Sequence, residues 1–198
     1  MGRAFHSITV SVSLLAVNCA VAFSQPYYVA TTGSDSNTGT LSSPFRTIAK
    51  AVSVVSAGET VYVRGGTYSL TATVTLSKNG TENALISLFA YPGEIPVLDF
   101  SEQSLSSGNR GVALTGSYWH VRGISITGAG DNGMIISGGS HNLIEMCNFY
   151  RNRDTGLQLD NGASDNTVRN CDSYCNADPP DYGDADGFAP KLTAGSGN

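Results

Sequence analysis

The chain has 198 residues, of which 40% are hydrophobic and 14% are charged. This composition supplies enough apolar residues for one core and excludes a highly charged, disordered protein. The formal net charge is −5, and the eleven lysines and arginines are scattered along the chain. We therefore expect no nucleic-acid or membrane partner, and an acidic ligand would need a bridging cation.

The first 24 residues are typical of a secretory signal peptide. A short basic segment precedes an apolar stretch that runs from Ile8 to Ala22. Ala22-Phe23-Ser24 then resembles a signal-peptidase site, which predicts a mature chain that begins at Gln25. The apolar stretch is shorter than the roughly 20 residues that a membrane-spanning helix needs. We therefore expect a secreted, extracellular protein.

One helix is predicted early in the mature chain, at about residues 44–56. Ser43-Pro44 suits an N-cap followed by a first helical position. Ile48 and Val52 recur at the spacing of one helical face, and Val55 continues the same face. The helix should therefore bury one side against a neighbouring element.

Short strands surround the predicted helix. In "ETVYVRGGTY", Val61 and Val63 alternate with polar or aromatic neighbours and a Gly-Gly turn follows, which is typical of a half-buried strand. The segment "ALISLFAY" predicts another strand. We expect residues 25–100 to form an N-terminal cap and the first coils of an elongated fold.

An internal repeat follows this region. The segments "YWHVRGISITGAGDNGMII", "HNLIEMCNFYRNRDTGLQL" and "DNTVRNCDSYCNA" align so that Val121, Ile144 and Val168 recur 23 and 24 residues apart. The third copy carries an insertion around "DPPDYGD". A period in the low twenties, with β-branched residues, Asn and Gly, predicts an all-β parallel solenoid whose coils occupy residues 101–198.

The same alignment superposes Ile124, Cys147 and Cys171. The simplest interpretation is an inward-facing ladder of small apolar side chains, with a disulfide or a reactive thiol as the alternative. The three cysteines of the mature chain cannot all pair with one another, so no disulfide scaffold is expected. His120 and His141 have no partner at ligand spacing and are predicted to be surface or corner residues.

Carboxylates are concentrated near the end of the chain, where few basic residues accompany them. They are Asp172, Asp178, Asp181, Asp184 and Asp186. Converging carboxylates repel one another unless a hard cation such as Ca²⁺ is bound. A solvated acidic loop is the alternative, and no spacing here matches an EF-hand.

Four segments, in this order, resemble family 9 of the polysaccharide lyases: "YYVATTGSDSNTGTLSSPFRTIAKAV", "NRDTGLQL", "NTVRNCDSYCNADPP" and "ADGFAPKLTAGSGN". Members of this family are secreted pectate lyases with a right-handed parallel β-helix fold. The resemblance extends from about Tyr27 to Asn198. The most specific part is "RDTGLQL" followed by "ADGFAPKL".

The resemblance implies a catalytic calcium ion, one of whose ligands is the aspartate of the ADGF motif, here Asp186. It implies β-elimination on polygalacturonate. In this reaction calcium binds the uronate carboxylate and acidifies the proton on C5, a neutral lysine removes that proton, and the glycosidic oxygen on C4 departs as a C4–C5 double bond forms.

The other aspartate ligands of the family belong to a motif resembling SDDGWD, and the lysine base lies further on. Neither is found in this sequence. We therefore assign no catalytic residue, expect the chain to be a C-terminally truncated β-helix that stops inside the site, and expect little or no lyase activity from it alone.

Three basic residues are candidates for binding the uronate carboxylates. Lys191 lies five residues after Asp186. On a strand this odd spacing puts the two side chains on opposite faces, which favours carboxylate binding, or a plain surface lysine, over a role as the base. Arg151 and Arg153 flank the preceding turn and are either substrate-binding or solvated.

The sequence as a whole predicts a secreted, calcium-dependent pectate lyase that acts as a monomer on an acidic polysaccharide. Two alternatives remain open. One is a non-catalytic β-helix that binds polysaccharide or serves as an adhesin. The other is a lyase or hydrolase of another β-helix family that acts on alginate or chondroitin-like polymers.

Overall fold

The structure, a computed structural model, describes residues 1–2, 25–180, 183 and 185–198. Almost all of the predicted signal peptide lies outside these described residues, as do Asp181 and Asp184 of the acidic segment. Within the described ranges, no helix has both the length and the apolar character needed to cross a membrane.

Sixteen short strands and one short helix make up the described chain. The elements are β1 (Tyr27–Val29), α1 (Ile48–Val54), β2 (Thr60–Val63), β3 (Gly66–Ser69), β4 (Val74–Leu76), β5 (Ile86–Ala90), β6 (Pro96–Asp99), β7 (Val112–Leu114), β8 (Trp119–Arg122), β9 (Ser125–Thr127), β10 (Met134–Ser137), β11 (Leu143–Glu145), β12 (Asn148–Tyr150), β13 (Leu157–Asp160), β14 (Thr167–Arg169), β15 (Asp172–Tyr174) and β16 (Phe188–Pro190).

The strands form three parallel sheets, which confirms the predicted β-helix. Sheet 1 has the order β1-β2-β5-β8-β11-β14, sheet 2 the order β3-β6-β9-β12-β15, and sheet 3 the order β4-β7-β10-β13-β16. Each coil therefore contributes one strand to each sheet in turn. A residue is stacked on its equivalents one coil away, and like side chains form ladders through the core.

The predicted repeat register is confirmed. Ile144 pairs with Val121 on one side and with Val168 on the other. Cys147 is buried, and Cys171 packs against the same core, as the inward ladder predicted. Both are free thiols, and the backbone amide of Cys147 donates to Sγ of Cys171 at 3.4 Å.

Helix α1 begins at Ile48, so the predicted start at residue 44 is wrong. Asp35 accepts hydrogen bonds from the backbone amide and the hydroxyl of Thr47, which keeps the chain extended up to that point. Phe45 forms a parallel bridge to β1 instead of a helical turn. The Thr47 hydroxyl then accepts from the first turn as the N-cap.

The helical face predicted from the sequence is buried. Ile48, Val52 and the C-cap residue Val55 are at most 6% exposed. The helix lies against β1, β2 and β4, at the end of the solenoid where the sheets begin. The amine of Lys78 donates to the carbonyls of Ser53 and Val55, and so satisfies oxygens that the helix end leaves without partners.

Two ladders of asparagine side chains hold the corners between coils. At the corner before sheet 1, Oδ1 of Asn142 accepts from the backbone amide of Trp119, and Oδ1 of Asn166 accepts from the amide of Asn142. At the corner before sheet 3, Oδ1 of Asn152 accepts from the amide of Ala129 in the same way. Each ladder satisfies buried backbone donors that a tight corner cannot pair with another strand.

The predicted insertion lies in the connection between β15 and β16. Thirteen residues, 175–187, join these strands, whereas residues 151–156 make the equivalent connection between β12 and β13. Asp186 lies two residues before β16, at the position that Thr155 occupies before β13.

Candidate functional site

Asp186 lies on the rim of sheet 3, directly before Gly187 and strand β16. Its backbone carbonyl accepts from the amide of Gly156 at 2.9 Å, and its amide donates to the hydroxyl of Thr155 at 3.3 Å. These bonds fix the main chain of Asp186 to the preceding coil. The side chain itself is exposed.

A column of glycines runs beside this rim because neighbouring coils approach too closely for a side chain. A Cβ atom at Gly133 would lie 2.7 Å from the carbonyl oxygen of Gly156, and one at Gly156 would lie 2.7 Å from that of Gly187. The residues directly before the glycines therefore stack from coil to coil. They are Arg110, Asn132, Thr155 and Asp186.

The carboxylate of Asp186 is available to a cation. Among the residues that the structure describes, none forms a hydrogen bond or ion pair with it. Ca²⁺ needs six to eight oxygen ligands, and the described part of the chain contains no group of three or more acidic, histidine or cysteine side chains placed to hold a metal. Asp186 thus fits the role of one calcium ligand, but the described residues do not form a complete calcium site.

Sequence reasoning missed a second acidic group on the same rim, one and two coils before Asp186. Asp131 is buried and lies 3.5 Å from Nε of Arg110, with no hydrogen bond between these two atoms. The side-chain Nδ2 of Asn132 donates to Oδ2 of Asp154 at 3.0 Å and to Oε1 of Gln158 at 3.2 Å. The sequence did contain a signal for this group, because Asp131 and Asp154 each lie two residues before one of the stacked glycines.

The pKa of Asp131 is raised to about 6. Burial is the largest cause, and the carboxylate of Asp154 adds to it, while the positive charge of Arg110 opposes both. An interior coil therefore carries a carboxyl group that titrates close to neutral pH on the face that also bears Asp186.

Lys191 is exposed and follows β16, while Asp186 precedes it. The backbone amide of Lys191 donates to the carbonyl of Leu159 at 3.0 Å, which continues the parallel pairing. Five extended residues span about 16 Å. The structure thus places the two residues at opposite ends of one strand and does not bring their side chains together.

Arg151 and Arg153 line a surface that includes neither Asp186 nor Lys191. Together with Tyr150 they line a groove of about 380 Å³ on the outer surface of sheet 2. A hydrogen bond of 3.2 Å from Nη1 of Arg153 to the carbonyl of Gln103 holds one of the two guanidinium groups. The predicted substrate-binding residues therefore fall in two places, the sheet 3 rim and the sheet 2 groove.

His120 has a partner that the sequence prediction did not foresee. Its Nε2 lies 3.1 Å from Oε2 of Glu145, a carboxylate that also accepts from Nε of Arg169 at 2.9 Å. Burial lowers the pKa of His120, although Glu145 acts in the opposite direction. Glu145 is one coil away from His120, so the contact depends on the stacking of coils. His141 is exposed at a corner and stacks on Tyr118, as predicted for a corner residue.

Comparison with known proteins identifies the family. The family described as "Pel9A-like, right handed beta helix region" matches residues 27–198. A pectate lyase L of Paenibacillus polymyxa (strain SC2) is 47% identical over 159 residues, which cover 75% of this chain and 35% of that protein. A pectate lyase L of Dickeya chrysanthemi is 36% identical over 212 residues, which cover all of this chain and 50% of that protein.

A solved structure supports the same assignment. The crystal structure of pectate lyase Pel9A superposes with a TM-score of 0.82 at 36% identity, over 90% of this chain and 47% of that one. The chain thus spans about half the length, or less, of these relatives. Because the family match extends over residues 27–198, the chain belongs to the Pel9A-like right-handed β-helix family.

Proposed function

We propose that this protein is a secreted, calcium-dependent pectate lyase, or part of one, that cleaves polygalacturonate by β-elimination. The observation that carries the proposal is the exposed carboxylate of Asp186 on the sheet 3 rim, which pairs with none of the described residues, in a chain whose relatives are named pectate lyases. Calcium, when bound, would neutralise the uronate carboxylate and acidify the neighbouring C–H bond.

Asp186 contributes one charged oxygen ligand to this calcium ion, and its fixed backbone gives the carboxylate a defined position on the rim. Lys191, at the far end of the same strand, binds a second uronate carboxylate of the polymer. A polymer lying along the strand could reach both residues, because a chain of sugars can extend over the distance that separates them. No residue of the described chain is assigned as the base.

The 198-residue chain by itself should show little turnover. A single carboxylate holds calcium weakly, because affinity follows the number and rigidity of charged ligands. We assign the base to none of the described residues, and without a positioned base the rate would fall by roughly another 10²–10⁴-fold. The alternative function is a non-catalytic β-helix that binds polysaccharide, and the single assigned ligand favours it for the chain on its own.

The test combines calcium titration with an assay for unsaturated product. Asp186→Ala should weaken calcium binding in calorimetry and remove any calcium-dependent absorbance of the product from polygalacturonate. Asp172→Ala is the matched control, because Asp172 is an exposed carboxylate on sheet 2. Equal calcium binding by the two variants would contradict the role of Asp186, and rapid turnover by the unaltered chain would contradict the expected low activity.

A further inference from the structure

The groove on the outer surface of sheet 2 has the composition of a saccharide-binding site. We call it the sheet 2 groove, and it has a volume of about 380 Å³. It is lined by outward residues of four successive coils together with both arginines. Among the lining residues are Thr67, Val97, Asp99, Thr127, Tyr150, Arg151 and Arg153. None of the residues that line it belongs to a strand of sheet 3, which carries Asp186.

The two arginines, together with the carboxylate of Asp99, leave the groove with one net positive charge. No carboxylate among the described residues lies within ion-pair distance of either guanidinium. The only carboxylate that lines the groove is Asp99, which already accepts hydrogen bonds from the amide and hydroxyl of Ser101. In a chain with a formal charge of −5, this local excess of positive charge favours an anionic ligand.

One wall of the groove is aromatic and rigid. Tyr150 stacks on Tyr174 of the next coil, with 5.2 Å between ring centroids and 4° between ring planes. The backbone amide of Arg151 donates to the carbonyl of Tyr174 at 3.3 Å, so the arginine is anchored to the same coil. Threonine hydroxyls on the floor can exchange hydrogen bonds with sugar hydroxyls.

We propose that the sheet 2 groove binds a uronate segment of an acidic polysaccharide, separately from the Asp186 site. The guanidinium groups of Arg151 and Arg153 pair with sugar carboxylates, and Tyr150 supplies the apolar surface on which a sugar ring rests. The proposal rests on the substrate class proposed above, but not on calcium or on cleavage. The groove would hold the polymer on the enzyme while the sheet 3 rim engages another part of it.

A uronate segment fits this groove better than a phosphate polymer does. Asp99 lies in the groove with the two arginines, and its negative charge disfavours a ligand with dense charge. A galacturonan carries one carboxylate per sugar and hydroxyls between them, which matches two cations, threonine hydroxyls and one aromatic wall.

The experiment measures binding in the presence of a calcium chelator, so that the Asp186 site cannot contribute. Purified chain is titrated with a defined oligogalacturonide by calorimetry. The double variant Arg151→Gln/Arg153→Gln should bind at least about 10-fold more weakly, because two charge-assisted contacts are lost. Tyr150→Ala should also weaken binding.

The matched control is Arg46→Gln/Arg122→Gln, which removes two positive charges elsewhere on the surface and should change binding less than about twofold. Thermal unfolding of each variant checks that the fold is intact. Unchanged binding by the arginine double variant, no binding by the unaltered chain, or tighter binding of inorganic polyphosphate than of oligogalacturonide would each overturn the proposal. Loss of lyase activity alone would bear only on the Asp186 site.

Discussion

An interior coil and the last described coil carry the same pattern of residues but differ in how far they bury it. Leu157 and Phe188 occupy the same column of sheet 3. Leu157 is fully buried, whereas Phe188 is 42% exposed. The buried Cys147 and the partly exposed Cys171 differ in the same way.

Burial of a side chain in a solenoid therefore depends on the neighbouring coils as well as on the residue itself. A side chain in a ladder is covered from both sides when it has a coil above and a coil below, and from one side otherwise. Equivalent positions in the repeat should therefore contribute unequally to stability and differ in their exposure to solvent.

The largest effect is expected for the pair in sheet 3. Leu157→Ala should lower the free energy of unfolding by about 2–5 kcal/mol, because it leaves a cavity in a closed core. Phe188→Ala should cost less than about 1.5 kcal/mol, since much of that ring is already in contact with water. Urea unfolding of both variants measures the difference. Equal losses would show that Phe188 is buried to the same extent as Leu157 in solution.

The asparagine ladder gives the second test. Asn142→Ala should lower the free energy of unfolding by about 1–3 kcal/mol. The buried backbone amide of Trp119, which donates to the side chain of Asn142, would lose its hydrogen-bond partner. Asn198 accepts from the amide of Asn166 in the last coil and is exposed. Asn198→Ala should therefore cost less than about 1 kcal/mol. Thermal unfolding decides between these values, and a larger loss for Asn198→Ala would reverse the comparison.

A third test uses the buried carboxyl of Asp131. Its pKa is raised from an ordinary 3.8 to about 6, so the folded state holds this proton more tightly than the unfolded state does. The resulting stabilisation is present at low pH and is lost as the pH rises through about 6. The difference between these two pKa values corresponds to about 3 kcal/mol, so Asp131→Asn should remove a decline of up to about this size.

The measurement is thermal unfolding from acid to neutral pH, where a loss of about 3 kcal/mol corresponds to a fall in Tm of roughly 6–12 °C. Asp172→Asn, on the exposed face of sheet 2, is the control and should keep the wild-type decline. An identical pH profile for wild type and Asp131→Asn would show that Asp131 titrates at its ordinary pKa.

The smallest effect concerns thiol chemistry and leaves stability unchanged. A hydrogen bond from Cys147 lowers the pKa of Cys171 to about 7, whereas the same contact and burial raise that of Cys147. Timed alkylation followed by peptide mass spectrometry should label Cys171 increasingly as the pH passes 7, while Cys147 stays unlabelled in the folded protein. Preferential labelling of Cys147 would contradict the assigned direction of the hydrogen bond.

Particular residues show how far the sequence was informative about the site. The ADGF segment identified Asp186, and the alignment of Val121, Ile144 and Val168 predicted which residues stack. The sequence did not predict the contact between Asp131 and Arg110 or the one between His120 and Glu145. Each joins residues about one coil apart, so it depends on which rotamers meet after the coils have stacked.

The sequence by itself determined the parallel β-helix, because a fixed period with alternating apolar residues leaves few ways to bury one face of every strand. It also determined the strand columns and the inward cysteine ladder. The tertiary structure alone decided where α1 begins, because a hydrogen bond from Thr47 to the distant Asp35 overrides the local helix signal. It also decided that Arg151 and Arg153 line a groove on sheet 2 that does not include Asp186, because the corner between sheets determines the direction of side chains that are close in sequence.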